Sequence, residues 1–133
     1  MSIALWDDSF LTGHHLVDTQ HQELFHMVNH LHDAIIAQKD KEILSSLLEK
    51  LTHYTVEHFE AEEALMVKIN YPHLTVHQRK HNELAQQAKE IIENYRTGKY
   101  VLSITLSRFL SNWLRHHIKE DDMALVQYIH AHS

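Results

Sequence analysis

The sequence predicts an all-α protein, an antiparallel up-down four-helix bundle preceded by an irregular N-terminal arm. Three observations carry that expectation. Only two glycines and one proline interrupt the 133 residues, and so few breakers leave room for long helices joined by short connections. Apolar residues recur at alternating three- and four-residue steps along four stretches, the pattern of a helix with one buried face. A hydrophobic content of 44% suffices for a chain of this length to bury a core unaided. Without an internal repeat or low-complexity segment, residues 1–133 are expected to form one domain.

The elements follow in order. Residues 1–17 read as the arm, with Gly13 beside the polar pair His14 and His15. Asp18 is an acceptable N-cap for a first helix to about Gln38, whose stripe is Val17, Leu24, Phe25, Val28, Leu31 and Ile35. A second helix runs from about Lys41 to Ile69, with Leu44, Leu47, Leu51, Tyr54, Leu65 and Ile69 on one face. It must stop before Pro72, because proline disfavours a helical residue ahead of it. The third spans about Leu74 to Arg96 with Leu84, Ala88, Ile91 and Tyr95 on its stripe, and Gly98 closes it. The fourth begins near Tyr100 and carries Leu102, Leu106, Phe109 and Trp113 towards the C-terminus.

Composition excludes several functions. A net charge of −6 opposes nucleic-acid binding, which needs a basic surface. The chain has no cysteine, so disulfides, thiolate zinc sites and iron–sulfur clusters are ruled out, and a reducing, cytoplasmic location is expected. The opening MSIALWDDSF lacks the basic-then-apolar order of an export signal. No apolar run approaches the roughly 20 residues that span a bilayer.

Histidine is the unusual residue, at 15 of 133. Counting pairs guards against over-reading this, because roughly two His-x-x-x-His pairs are expected by chance at such a frequency. Position relative to the stripes is more telling. His21 falls in the series 17, 21, 24, 28, 31, 35, and His58 continues 44, 47, 51, 54, with Glu62 one turn on. His77 and His81 both lie in 74, 77, 81, 84, 88, 91, 95, and 102, 106, 109, 113 leads to His117. His26, His30, His53 and His116 lie off these seams, His32 flanks the first, and His14, His15, His73, His130 and His132 lie in arms or ends; none of these is expected to have a site role. A single core histidine is more often hydrogen-bonded packing than a ligand. Five of them with a carboxylate, spread over four helices and facing one interior, would leave many polar atoms unpaired, and a metal centre satisfies them together.

Five imidazoles exceed the four ligands of a structural zinc. They suit two ions of the iron or zinc type, held by neutral imidazoles and bridged by carboxylates. Glu62 is one bridge candidate. The other lies in HHIKEDD, residues 116–122. Asp122 follows His117 by five residues, and in a regular helix that step turns about 500°, roughly 140° off the starting face. Either the helix loosens into a π-type turn or Asp121 points inward; these residues leave both open. The four-carboxylate di-iron scheme fails, since it needs two Glu-x-x-His motifs and the chain has one, Glu23 with His26, off the seam.

The succession VDTQHQELF (17–25), HFEAEE (58–63), HQRKH (77–81) and WLRHHIKEDD (113–122) resembles the hemerythrin family, in particular the single-domain bacteriohemerythrins. The likeness runs over nearly the whole chain, including Trp6 and the TGHH lead-in. It implies a non-haem di-iron centre with an oxo or hydroxo bridge that binds O2 reversibly. By the same likeness His77, His81 and His117 hold one iron, His21 and His58 the other, and Glu62 and Asp122 bridge. The iron with two histidines keeps a position for O2, and Phe59, Trp113, Leu114 and Ile118 match the family's pocket lining. Where members often have Asp-Lys, this chain has Asp122-Met123. The expected role is carriage, storage or delivery of O2 by a monomer, with an O2-consuming enzyme as recipient. The alternatives are an O2 or redox sensor and a di-iron peroxidase or nitric-oxide-reducing enzyme.

Overall fold

The computed structural model describes residues 3–98 and 104–132. These build four helical rods. Helix α1 spans His15–Ile36, α2 Lys41–Lys68 and α3 Leu74–Arg96; the fourth rod joins α4, Ile104–His117, a π-helical turn Ile118–Asp122, and α5, Met123–Ala131. Helix α1 packs against α2 and α4, and α2 against α3, the neighbour pattern of a four-helix bundle with short connections. The expected start near Tyr100 and the stripe residue Leu102 lie outside the described residues.

The connections are short because the helix ends are chemically defined. Asp40 caps α2, its Oδ1 accepting from the Ile43 N–H at 3.0 Å. Helix α1 closes with Gln38 at φ 55°, where Gln38 N–H donates to the Ile35 carbonyl and Lys39 N–H to the Ala34 carbonyl, each at 3.1 Å. Helix α2 repeats this Schellman arrangement with Asn70 at φ 55° and Tyr71 N–H donating to Met66 at 2.9 Å. Gly98, at φ 77°, takes the same place after α3.

The N-terminus of α1 differs from expectation. The helix starts at His15, capped by His14, whose ring accepts from the Val17 N–H at 3.4 Å. Asp18 lies inside the first turn and is buried. Its Oδ1 accepts from Thr12 N–H at 2.9 Å and Thr12 Oγ1 at 2.6 Å, and its Oδ2 from Gly13 N–H at 3.1 Å. The carboxylate therefore ties the arm to the helix instead of capping it. Trp6 and Phe10 from the arm pack edge-on against Phe25, at 5.1 and 5.0 Å between ring centroids, and Asn29 exchanges two hydrogen bonds with the Ala4 backbone. Asp18→Ala leaves these buried donors unpaired and is expected to cost about 1–3 kcal/mol. A melting temperature equal to wild type would show that the arm is held without it.

The core has two parts. The larger joins Phe10, Leu24, Phe25, Leu31, Leu51, Leu114 and Ile118; the smaller is Met66, Tyr71 and Leu125. Between the two parts lie His58 and Glu62 on α2 and Asp122 on the fourth rod, with His117 next to Ile118 at the edge of the larger part. Two stripes are rotated from their predicted phase. On α2 Leu44 and Leu51 are buried as predicted, but Leu48 and Met66 are buried with them while Leu47, Leu65 and Ile69 are half-buried. On α4 the buried face is Ser107, Ser111, Leu114 and His117, which leaves Phe109 41% exposed. Small serines set the phase there, since Ser111 lies close enough to donate to the Ile3 carbonyl of the arm, at 3.4 Å. The large apolar side chains Leu106 and Phe109 flank a shallow cleft between α2, α3 and α4.

Candidate metal centre

The seven predicted residues converge at mid-bundle. His21 comes from α1, His58 and Glu62 from α2, His77 and His81 from α3, and His117 and Asp122 from the fourth rod. All are at most 3% exposed. The one-turn pairs on α2 and α3 put both members on the inner face of a regular helix. The fourth rod needs more, and the π-helical turn supplies it. Met123 N–H reaches the Ile118 carbonyl five residues back, so the helix is locally unwound and His117 and Asp122 share a face. Of the two alternatives left by the sequence, Asp122 is the inward carboxylate.

The donor atoms form two overlapping groups, Glu62, His77, His81, His117 and Asp122 in one and His21, His58, Glu62 and Asp122 in the other, with donors within 4.8 Å of one another. Both carboxylates belong to both groups. The two oxygens of Asp122 divide between them: Oδ2 is 2.7 Å from His21 Nε2, while Oδ1 is 3.1 Å from His77 Nε2 and 3.0 Å from His117 Nε2. Glu62 Oε1 stands 3.3 Å from His81 Nε2 and 3.4 Å from His58 Nε2, and Oε2 is 4.0 Å from His21 Nε2. Every imidazole presents Nε2 to this interior.

The chemistry of the donors fits a cation. Both Glu62 oxygens, Asp122 Oδ1 and the Nε2 atoms of His58 and His77 are buried without a hydrogen-bond partner, a set too costly to keep in a core for packing alone. Burial, and then the neighbouring Asp122, raises the Glu62 carboxyl well above its ordinary range. Burial likewise pushes His81 down to about 2, helped by His117 and His77, and lowers His58. Those rings are neutral, as ligation requires. Burial opposes charge on Asp122 and His117 too, but their mutual attraction wins, lowering Asp122 and raising His117. Two carboxylates this close cannot both ionise unless positive charge stands between them.

Outer contacts orient the rings. His58 Nδ1–H donates to Gln20 Oε1 at 2.6 Å and His117 Nδ1–H to Asp121 Oδ2 at 2.9 Å. Sequence reasoning missed Gln20, which lies beside the seam with no local pattern to mark it. Phe59 stacks on His81 at 3.7 Å and Trp113 on His117 at 4.5 Å. Phe59, Trp113 and Leu114 help line a cavity of about 30 Å³ that reaches His58, His117 and Asp122, room for one molecule of the size of water. Ile118 is wholly buried in the larger core cluster and is not among the residues around this cavity.

Residues 12–129 match the model of the hemerythrin HHE cation binding domain. The chain belongs to the hemerythrin family. It is 31% identical over 132 residues to the bacteriohemerythrin of Stenotrophomonas maltophilia (strain R551-3), covering 99% of this chain and 85% of that protein. The bacteriohemerythrin of Methylococcus capsulatus (strain Bath) is 31% identical, with 92% and 93% covered. A hemerythrin-like protein of Naegleria gruberi is 32% identical, with 89% and 87% covered. The fold superposes on a wild-type hemerythrin crystal structure with a TM-score of 0.88 and 28% identity, covering 92% of this chain and 95% of that one. Within this hemerythrin fold, the histidine and carboxylate cluster fits a metal site, iron is typical of the family, and the family binds O2. No helix among the described residues is long and apolar enough to cross a membrane.

Proposed function

We propose that residues 1–133 form one domain that binds O2 reversibly at a non-haem di-iron centre, as a carrier, store or delivery protein and not as an enzyme. The observation that carries this reading is the division of Asp122 between two histidine sets. His77, His81 and His117 would hold one iron and His21 and His58 the other, with Glu62, Asp122 and an oxo or hydroxo group as bridges. The smaller set has one histidine fewer, so an iron held there would keep a position for O2. When bound, the iron pair supplies that position and the electrons that O2 binding draws on.

The chain's own contribution is to hold His58 and His81 neutral by burial and to keep water away. The apolar lining does the second by limiting solvent access and lowering the local dielectric. Leu114→Asp is therefore expected to speed autoxidation by about tenfold or more while iron content stays at the wild-type level. Equal autoxidation rates would remove Leu114 from the pocket. The proposed setting is a cytoplasmic monomer that passes O2 to a consuming enzyme; the lack of cysteine supports a reducing compartment.

Metal analysis with optical spectra under O2 and under argon tests the reading. Two irons per chain and an oxy spectrum that reverts over repeated cycles are expected. A colourless zinc protein, or a di-iron protein that turns over peroxide or nitric oxide and holds no O2, overturns it. A sensor would keep the spectrum and add a bound partner whose affinity changes with O2.

A further inference from the structure

The π-helical turn delivers two adjacent carboxylates, and the metal centre takes only the second. Asp121 follows His117 by four residues and Asp122 by five. The unwound backbone sends these neighbours to opposite sides of one imidazole. Asp122 Oδ1 is 3.0 Å from His117 Nε2, and Asp121 Oδ2 is 2.9 Å from His117 Nδ1. A carboxylate only accepts, so Nδ1 must carry the proton, which fixes the ring orientation. The other oxygen of Asp121 accepts from Lys80 Nζ at 2.7 Å. Lys80 immediately precedes His81 on α3, so this pair ties together the helices that carry the two histidines. Asp121 is only 18% exposed at its side chain.

The remaining outer contacts are weaker donors of charge. His58 leans on a neutral amide, Gln20. His81 Nδ1 has its nearest carboxylate, Glu63 Oε1, at 3.6 Å, beyond hydrogen-bond reach. Among the described residues that ligate in the proposed scheme, His117 is the histidine whose Nδ1 is hydrogen-bonded to a carboxylate. An ionised acceptor makes that bond stronger and shifts electron density into the ring.

We propose that Asp121 and Lys80 are positioning residues that act through His117: Asp121 makes this ring the most electron-rich ligand and biases its iron towards the ferric state, and Lys80 limits that bias by sharing the carboxylate. The proposal rests on the di-iron reading above. It has a signature that a merely structural contact lacks, because removing the two partners moves the site in opposite directions. Asp121→Asn takes away the anion and favours the ferrous state. Lys80→Met frees the full carboxylate charge and favours the ferric state.

The test loads wild type and both variants with ferrous iron under argon, confirms equal iron content, and measures midpoint potentials by spectroelectrochemistry. A roughly tenfold change in the ratio of ferric to ferrous affinity is expected for Asp121→Asn, an increase of about 59 mV for a one-electron couple. Lys80→Met should lower the potential, and Asp121→Glu should restore most of the wild-type value. Unchanged potentials, or shifts of the same sign in both variants, overturn the proposal while leaving the di-iron reading intact. A second readout needs no metal. Metal-free wild type should show a downfield exchangeable proton on the His117 ring that Asp121→Leu abolishes; its absence from wild type overturns the hydrogen bond itself. Wild type that takes up no iron while showing that proton instead overturns the di-iron reading and, with it, the potential-setting role.

Discussion

Asp122→Ala is expected to abolish iron binding at the proposed di-iron centre, whereas Asp121→Ala, one residue away, should still take up two irons. The contrast follows from geometry. Asp122 is wholly buried and offers one oxygen to His21 and the other to His77 and His117. Its loss shortens both donor groups at once and leaves five buried imidazoles with Glu62 as their single shared carboxylate. Removing an outer partner of a ligand typically costs 10- to 100-fold in metal affinity, and loss of a shared ligand must cost more. At micromolar iron the Asp122 variant should bind well under one iron per chain by elemental analysis, with no visible absorbance in air. His21→Ala provides the intermediate case, because it touches one group only and the set of five remains. Two irons per chain in Asp122→Ala would refute its role as a bridge.

The same residue marks the boundary of what the sequence could convey. Helix α3 was legible at both ends, since Pro72 and Gly98 punctuate it and its stripe is regular. The one-turn pairs on α2 and α3 could be read directly, because a four-residue step keeps one face in any α-helix. Asp122 could not be placed on residue spacing, since a five-residue step leaves that face unless the backbone unwinds, and nothing in IKEDD announces a π turn. The likeness to the hemerythrins supplied what the spacing withheld. The start of α1 is not legible in the residues, because aspartate is a common cap and histidine, which caps this helix at His14, an uncommon one. Phe109 departs from its predicted place on the stripe because the buried face of α4 is set by the small residues Ser107 and Ser111. His32, which only flanks the first seam, is nevertheless buried with Nδ1 unpartnered. It stands between Leu31 and Asp33, one place off the apolar series, so its burial leaves no periodic trace.

The second large effect is a change of sign. Glu62→Gln is expected to stabilise the metal-free protein at neutral pH and to destabilise the iron-loaded one. Without metal, Glu62 has no exposure and no hydrogen-bond partner on either oxygen. Its folded-state pKa lies well above 4.5, first through burial and then through Asp122. The unfolded chain releases the proton near 4.5 while the folded chain retains it. Wild-type stability from this group is therefore complete below pH 4.5 and is lost as pH rises towards the folded value. Glutamine copies the neutral acid and has no proton to lose, so the advantage of the variant should be nil near pH 4 and grow towards pH 8. Iron reverses the balance, because ligation requires the ionised carboxylate. At free ferrous iron a hundredfold above its dissociation constant, binding stabilises wild type by about 2.7 kcal/mol, roughly 10 °C in melting temperature for a domain of this size. The variant, lacking a charged bridge, forfeits most of that gain. Thermal melts from pH 4 to 8, with and without ferrous iron under argon, separate the two effects. A metal-free variant that melts below wild type at pH 7.5 would mean that Glu62 is ionised and satisfied by protein groups alone. The need for a cation, which every other inference about this centre uses, would then lose its strongest physical support.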